Sequence, residues 1–180
     1  MSPRATDVAL SGRHNFSKGP ALMIRLKAGF GVEGDAHAGA TVKHRSRVAV
    51  DASQANLRQV HLLGGEVLDR LVRQGFKVGP GVIGENITTR GLELHDLPTG
   101  ARLRIGADAV IVLTGLRNPC LQLDRFQPGL MRAVLGRGDR GEVLYQCGVM
   151  GVVEADGLVQ PGDAIAITLP TGKHEPLKRV

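Results

Sequence analysis

The sequence predicts a strand-rich α+β domain, a barrel-like arrangement of short strands with a few short helices. Three observations predict it. Several β-branched apolar runs lie between turn residues, 25 glycines and 9 prolines are spread along 180 residues, and only two segments show helical spacing. Glycine and proline supply the backbone conformations that short strands need at each reversal. Hydrophobic residues make up 42% of the chain, enough for one core. A mean hydropathy of -0.02 points away from both a disordered chain and a membrane-embedded one.

The elements follow in chain order. Residues 21–27 form an apolar strand between Pro20 and Gly29, and residues 44–50 alternate charge with Val48 and Val50. Residues 60–63 are a short apolar strand. In residues 66–74, Val67, Leu68, Leu71 and Val72 recur at helical spacing, and Gly75 stands where a C-terminal cap belongs. Residues 101–105 alternate with period two, placing Leu103 and Ile105 on one face and Arg102 and Arg104 on the other. Residues 109–114 are a β-branched run suited to a buried central strand. Phe126, Leu130, Met131, Val134 and Leu135 suggest a second helix stopped by Gly136. Residues 148–159 read as a hairpin turning at Asp156-Gly157. Pro161-Gly162-Asp163 then turns the chain into residues 164–169, expected to be a second buried strand. Residues 1–15 are expected to belong to the domain and residues 171–180 to be a frayed polar tail.

No apolar run approaches the roughly 18 residues of a membrane span, and the first residues hold no signal-like apolar stretch. The expectation is a cytoplasmic protein with no membrane partner. Its two cysteines, Cys120 and Cys147, are expected as reduced thiols, because small secreted scaffolds carry more. Lys and Arg number 23 against 17 acids, a net charge of +6. That excess suits an anionic partner or, equally, a solvated basic surface. Four Phe, one Tyr and no Trp leave little for base stacking, so a small anionic ligand is favoured over nucleic acid.

Two literal GxGxxG matches, at residues 29–34 and 79–84, are not followed by helical patterns. Without a helix N-terminus to receive a pyrophosphate they do not make a dinucleotide site. The histidines and cysteines show no local pairing of the kind a structural zinc site needs. Gly34-Asp35-Ala36-His37-Ala38-Gly39 sets a carboxylate and an imidazole two residues apart between glycines, which suits a pocket wall or a tight exposed turn. Gly84-Glu85-Asn86 opens a strand, and Asn86 offers both donor and acceptor to a ligand or to a turn. Arg117-Asn118-Pro119-Cys120 follows the buried run. Pro119 stiffens the loop, and a nearby guanidinium would favour the Cys120 thiolate, the form that attacks sulfur or ligates a soft metal. A buried, unreactive Cys120 is the equal alternative.

Taken in order, residues 34–39, the run from Pro80 to Leu92, the run from Leu97 to Gly106, and Arg117-Asn118-Pro119-Cys120 resemble the MOSC family, named for the C-terminal domain of molybdenum cofactor sulfurase. The likeness covers residues 16–170. It implies a β-barrel-like fold and a site lined by Asp35, His37, Gly84, Glu85, Asn86, Arg117 and Cys120. It implies molybdenum cofactor (molybdopterin) as the ligand, with Cys120 and Arg117 as the catalytic residues and Cys120 as the metal ligand. Reduction of N-hydroxylated compounds is one activity of the family. A persulfide sulfur carrier acting through Cys120 is a second reading, and a non-catalytic binding module a third. An electron-donor or sulfur-donor protein is the expected partner, and no lysine here is expected to hold pyridoxal phosphate.

Overall fold

The computed structural model describes residues 2–43, 48–137 and 141–180. Its main sheet runs β13 (Ile165–Thr168), β7 (Arg102–Ile105), β8 (Ala109–Leu116), β11 (Val149–Ala155), β5 (Val60–Gly64), β6 (Ile87–Arg90), β1 (Arg4–Leu10) and β2 (Gly19–Ala21). Its neighbours pair antiparallel except β5 and β6, which are parallel. Parallel neighbours need a long crossover, and α1 (Gly65–Arg73) lies in it. A smaller sheet runs β12 (Gly157–Val159), β3 (Ile24–Lys27), β4 (Gly31–Val32), and β9 (Leu135–Arg137) pairs with β10 (Val143–Tyr145).

Strand β5 is buried along its whole length because both faces are covered. Leu62 joins a core with Ile24, Leu26, Ile87, Leu103 and Ile111. Leu63 points the other way, into a cluster with Leu68 and Leu71 of α1, Ile83, Leu123 and Cys147. Helix α1 stops as its sequence predicts. The Phe76 N–H reaches the Leu71 carbonyl at 3.1 Å and the Gly75 N–H reaches Val72 at 2.9 Å. This double bond pattern requires left-handed backbone at residue 75, where φ is +91°.

The eight-stranded sheet curls but does not close into a barrel. A bridge between Arg4 and Ala164 draws β1 toward the head of β13. Closure stops there because β2 already pairs with β1 from Val8 to Leu10. The strand-rich α+β expectation holds, and the barrel-like sheet is curled but not closed.

Other expectations change for local reasons. Residues 21–27 split: the strand is Ile24–Lys27, and Leu22 is 90% exposed. Of residues 44–50, residues 44–47 lie outside the described residues, and Val48 and Val50 are exposed and not in a strand. The helix expected from Phe126 to Leu135 is broken into α2 (Gln122–Phe126) and α3 (Leu130–Ala133), and Leu135 begins β9. Pro128 explains the break, because the residue before proline avoids helical backbone, and Gln127 is extended at φ -150°, ψ 121°. The expected hairpin of residues 148–159 does not form. Strand β11 pairs with β5 and β8, while β12 crosses to β3 in the other sheet, since the single Asp156 between them is too short for a hairpin loop. Strand β13 is an edge, paired in the ladder only to β7, so Ile165 is buried but Ile167 is 37% exposed. Among the described residues no helix is long and apolar enough to cross a membrane.

Gly157 shows how closely the two sheets meet. A Cβ there would lie 2.4 Å from the Ala109 nitrogen and 2.7 Å from its Cα. Gly157→Ala is therefore expected to cost about 1–3 kcal/mol by overpacking against backbone. The measurement is the urea midpoint at unchanged slope, and an unaltered midpoint would contradict the packing described.

Candidate functional site

A cavity of about 690 Å³ opens where the loop after β4, the turn before β6 and the loop after β8 meet. His37, Gly84, Asn86, Arg117 and Cys120 line it. Asp35 and Glu85 stand behind its wall, both buried.

Asp35 organises the floor. Its carboxylate pairs with the Lys18 ammonium and accepts from Asn86 Nδ2 at 3.0 Å, the His37 N–H at 2.9 Å and the Ser11 N–H at 3.3 Å. The side chains of Lys18 and Asp35 are only 4% and 1% exposed. Burial alone would raise the Asp35 pKa; the His37 hydrogen bonds and the Lys18 charge overcome it and hold the carboxyl well below the usual range. Burial draws the Lys18 ammonium below its usual value despite Asp35. Asn86 is a crosslink: Nδ2 also donates to the Ala9 carbonyl at 3.1 Å, and Oδ1 accepts from the His61 N–H at 3.2 Å. So the asparagine ties β1, β5, β6 and the Asp35 loop together.

The Gly81–Gly84 turn brings Lys18 in. The Lys18 N–H donates to the Gly81 carbonyl at 2.8 Å and Ser17 Oγ to the Val82 carbonyl at 2.6 Å. At Gly84, φ is +96° and a Cβ would lie 2.7 Å from the Phe16 carbonyl oxygen, so only glycine fits. Glu85 points into the turn, where Oε1 accepts the Gly81 N–H at 2.7 Å, and burial raises its pKa.

Arg117 does not aim its charge where the sequence suggested. Its Nη1 donates to the Ile83 carbonyl at 2.7 Å and to Cys147 Sγ at 3.2 Å. Cys147, fully buried in the bend between β10 and β11 rather than in a strand, has its thiol pKa pushed up by burial in spite of that contact. Cys120 is half-buried, follows the buried Pro119, and has Gln122 Oε1 3.6 Å from its sulfur.

His61, in the buried strand β5, also lines the cavity and faces the Cys147 carbonyl at 2.9 Å. Burial, then the Arg117 charge, holds its pKa well below the usual value. Folded His61 thus resists a proton that the unfolded chain accepts below about pH 6.5. Stability present above that pH is lost as pH falls, with a slope of up to about 1.4 kcal/mol per unit. His95, lowered by burial, acts in the same direction. Urea midpoints between pH 7.5 and 5.5 should fall, and less so in His61→Gln; a flat profile would contradict the buried neutral imidazole.

Lys18, Arg58, His61 and Arg125 line the cavity without having been singled out from the sequence. A lone histidine inside an apolar strand was the one available signal; the basic residues had none. The described lining holds Lys18, Arg58, Arg117 and Arg125 and no Asp or Glu. Its chemistry suits an anion beside a thiol. Among the described residues no group of three or more His, Cys, Asp or Glu is placed to hold a metal ion.

The family model for the MOSC domain matches residues 37–166, most of the chain. The chain belongs to the MOSC domain family. Comparison with curated proteins gives no match. Among solved structures this MOSC domain is similar to the YuaD protein from Bacillus subtilis, with TM-score 0.75 and 24% identity over 93% of this chain and 96% of that one. It is also similar to YiiM from Geobacillus stearothermophilus, with TM-score 0.65 and 16% identity over 97% and 79%. YiiM from Escherichia coli aligns with TM-score 0.60 and 20% identity over 96% and 73%. At these identities the likeness establishes the fold.

Proposed function

We propose that this MOSC domain binds molybdenum cofactor in the Cys120 cavity and supports reduction of N-hydroxylated compounds there. One observation carries the reading: the half-exposed thiol opens into a cavity whose described lining holds Arg58, Arg117 and Arg125 and no carboxylate, the Lys18 charge being taken up by Asp35 behind the wall. A phosphate-bearing ligand finds its counter-charge there, and a cysteine thiolate is a soft metal ligand. The volume falls within the ordinary range for cofactor sites. Bound, the cofactor supplies two-electron redox chemistry at its metal.

The chain's own residues bind and orient. Cys120 would hold the metal, and Arg58 and Arg125, which line the same cavity, would hold the phosphate, with the Arg117 charge behind them. Asp35 and Asn86 keep the floor rigid, and His37 is positioned by Asp35 through its N–H and Nδ1. An electron-donor protein is the proposed partner, and the reducing cytoplasm the proposed compartment, since both need Cys120 as a thiol.

The test is elemental analysis and pterin release from protein made in a host that synthesises the cofactor. Near-stoichiometric molybdenum supports the reading. Absence of molybdenum with a thiol-labile sulfur on Cys120 would instead make the protein a persulfide carrier supplied by a sulfur donor. Absence of both would leave a binding module.

A further inference from the structure

The loop from Arg117 to Cys120 leaves the end of β8, and the main sheet holds that end on one edge only. The β7 ladder accompanies β8 as far as Val112. Beyond it, residues 175–180 take the open edge, in place of the frayed tail expected from sequence. The Leu116 N–H donates to the Lys178 carbonyl at 2.8 Å, the Val180 N–H to the Leu116 carbonyl at 3.3 Å, and the Thr99 N–H to the Glu175 carbonyl at 2.8 Å. Leu177 is buried in the main core. On the other edge Val149 of β11 stands opposite Leu116. The residue from which the Cys120 loop springs is therefore held on both sides.

The sequence of β8 is shaped for this contact. A Cβ on Gly115 would lie 2.4 Å from the Lys178 oxygen and 2.5 Å from Val180 Cγ1. A glycine inside the strand is thus what lets residues 178–180 lie against it.

A second fastening reaches the loop itself. Arg179 Nη1 donates to Asn118 Oδ1 at 3.4 Å, and the guanidinium sits 4.9 Å from the centre of the Tyr145 ring. Asn118 stands two residues before Cys120, and its backbone is already restricted by Pro119. The contact from Arg179 holds its side chain as well. Tyr145 stands two residues before Cys147. One guanidinium therefore joins the chain leading to Cys120 to the chain leading to Cys147, the thiol that Arg117 contacts.

We propose that residues 175–180 are a clasp on the Cys120 loop and that Arg179 is a positioning residue, keeping the thiol half-buried through its contact with Asn118. The proposal concerns how Cys120 is presented, whatever that thiol binds; only its value for holding cofactor rests on the cofactor reading above.

The test is iodoacetamide labelling of the full chain, made in a host without molybdenum cofactor so that Cys120 is free. Mass spectrometry follows Cys120 and Cys147 separately, and thermal melts report folding. Arg179 and Asn118 are both exposed, so their truncation should leave the fold intact. Arg179→Ala should speed Cys120 labelling by about threefold or more, because a half-buried thiol gains access when its loop opens locally. Cys147 labelling should not change. Asn118→Ala should give the same acceleration, and the double variant no more than either alone, since all three lose one contact.

An unchanged Cys120 rate in Arg179→Ala, equal acceleration of both thiols, or effects that multiply in the double variant would each overturn the proposal. A Cys120 rate that responds as expected, in a protein that takes up no molybdenum from a competent host, would overturn the cofactor reading and leave the clasp in place. Molybdenum uptake with labelling indifferent to Arg179 would do the reverse.

Discussion

Lys18→Met is expected to destabilise the protein by about 3–5 kcal/mol, the cost of leaving one member of a buried ion pair without its partner. Both side chains of the pair are almost wholly buried, so water cannot replace the lost ammonium at Asp35. The remaining donors, from Asn86, His37 and Ser11, cannot supply its full positive charge. The pH dependence has a defined sign. The folded Asp35 pKa lies below its unfolded value of about 3.9, so the pair's stabilisation is present above that pH and is lost as pH falls toward the folded value. Without Lys18 the folded value rises, and the acid midpoint of unfolding should move to higher pH. Denaturant melts at pH 7 and an acid titration check both; a loss under 1 kcal/mol would show that Asp35 is hydrated in solution.

Cys120→Ala is expected to abolish cofactor retention, while Cys147→Ala mainly costs stability. Removing a residue that merely supports a metal ligand costs 10–100-fold in metal affinity, so loss of the ligand itself should cost about 100-fold or more. Cys120 is half-buried, with one long side-chain hydrogen bond among the described residues, and its removal leaves little unsatisfied there. Cys147 is fully enclosed beside Leu63, Ile83 and Leu123, so its truncation should cost about 1 kcal/mol or more. It also deprives Arg117 of its sulfur contact. Alkylation should mark Cys120 first, since burial raises the Cys147 pKa and shields it. Faster labelling of Cys147, or full molybdenum content in Cys120→Ala, would defeat the assignment.

Local chemistry made some of this molecule legible in its sequence. The period-two run at residues 101–105 does bury Leu103 and Ile105 and expose Arg102 and Arg104, because strand geometry sends alternate side chains to opposite faces. The cap at Gly75 was legible because a left-handed residue at a helix end is a local requirement. The second helix was misread because apolar spacing was weighed without Pro128, a local constraint that prevails over periodicity.

By itself the sequence determined the strand-rich class, the family motifs and the choice of Cys120 as the reactive candidate, since these reside in residue types and short spacings. Tertiary structure alone decided the partners. Arg117 stands three residues from Cys120 in the chain yet contacts Cys147, thirty residues on. Lys18 reaches Asp35 only because the Gly81–Gly84 turn holds residues 16–18 against it. The segment at residues 175–180 docks because Gly115 leaves room on β8. Charge pairing and close packing depend on distances between segments remote in sequence, and those distances exist only once the sheet has curled and brought its loops to one end.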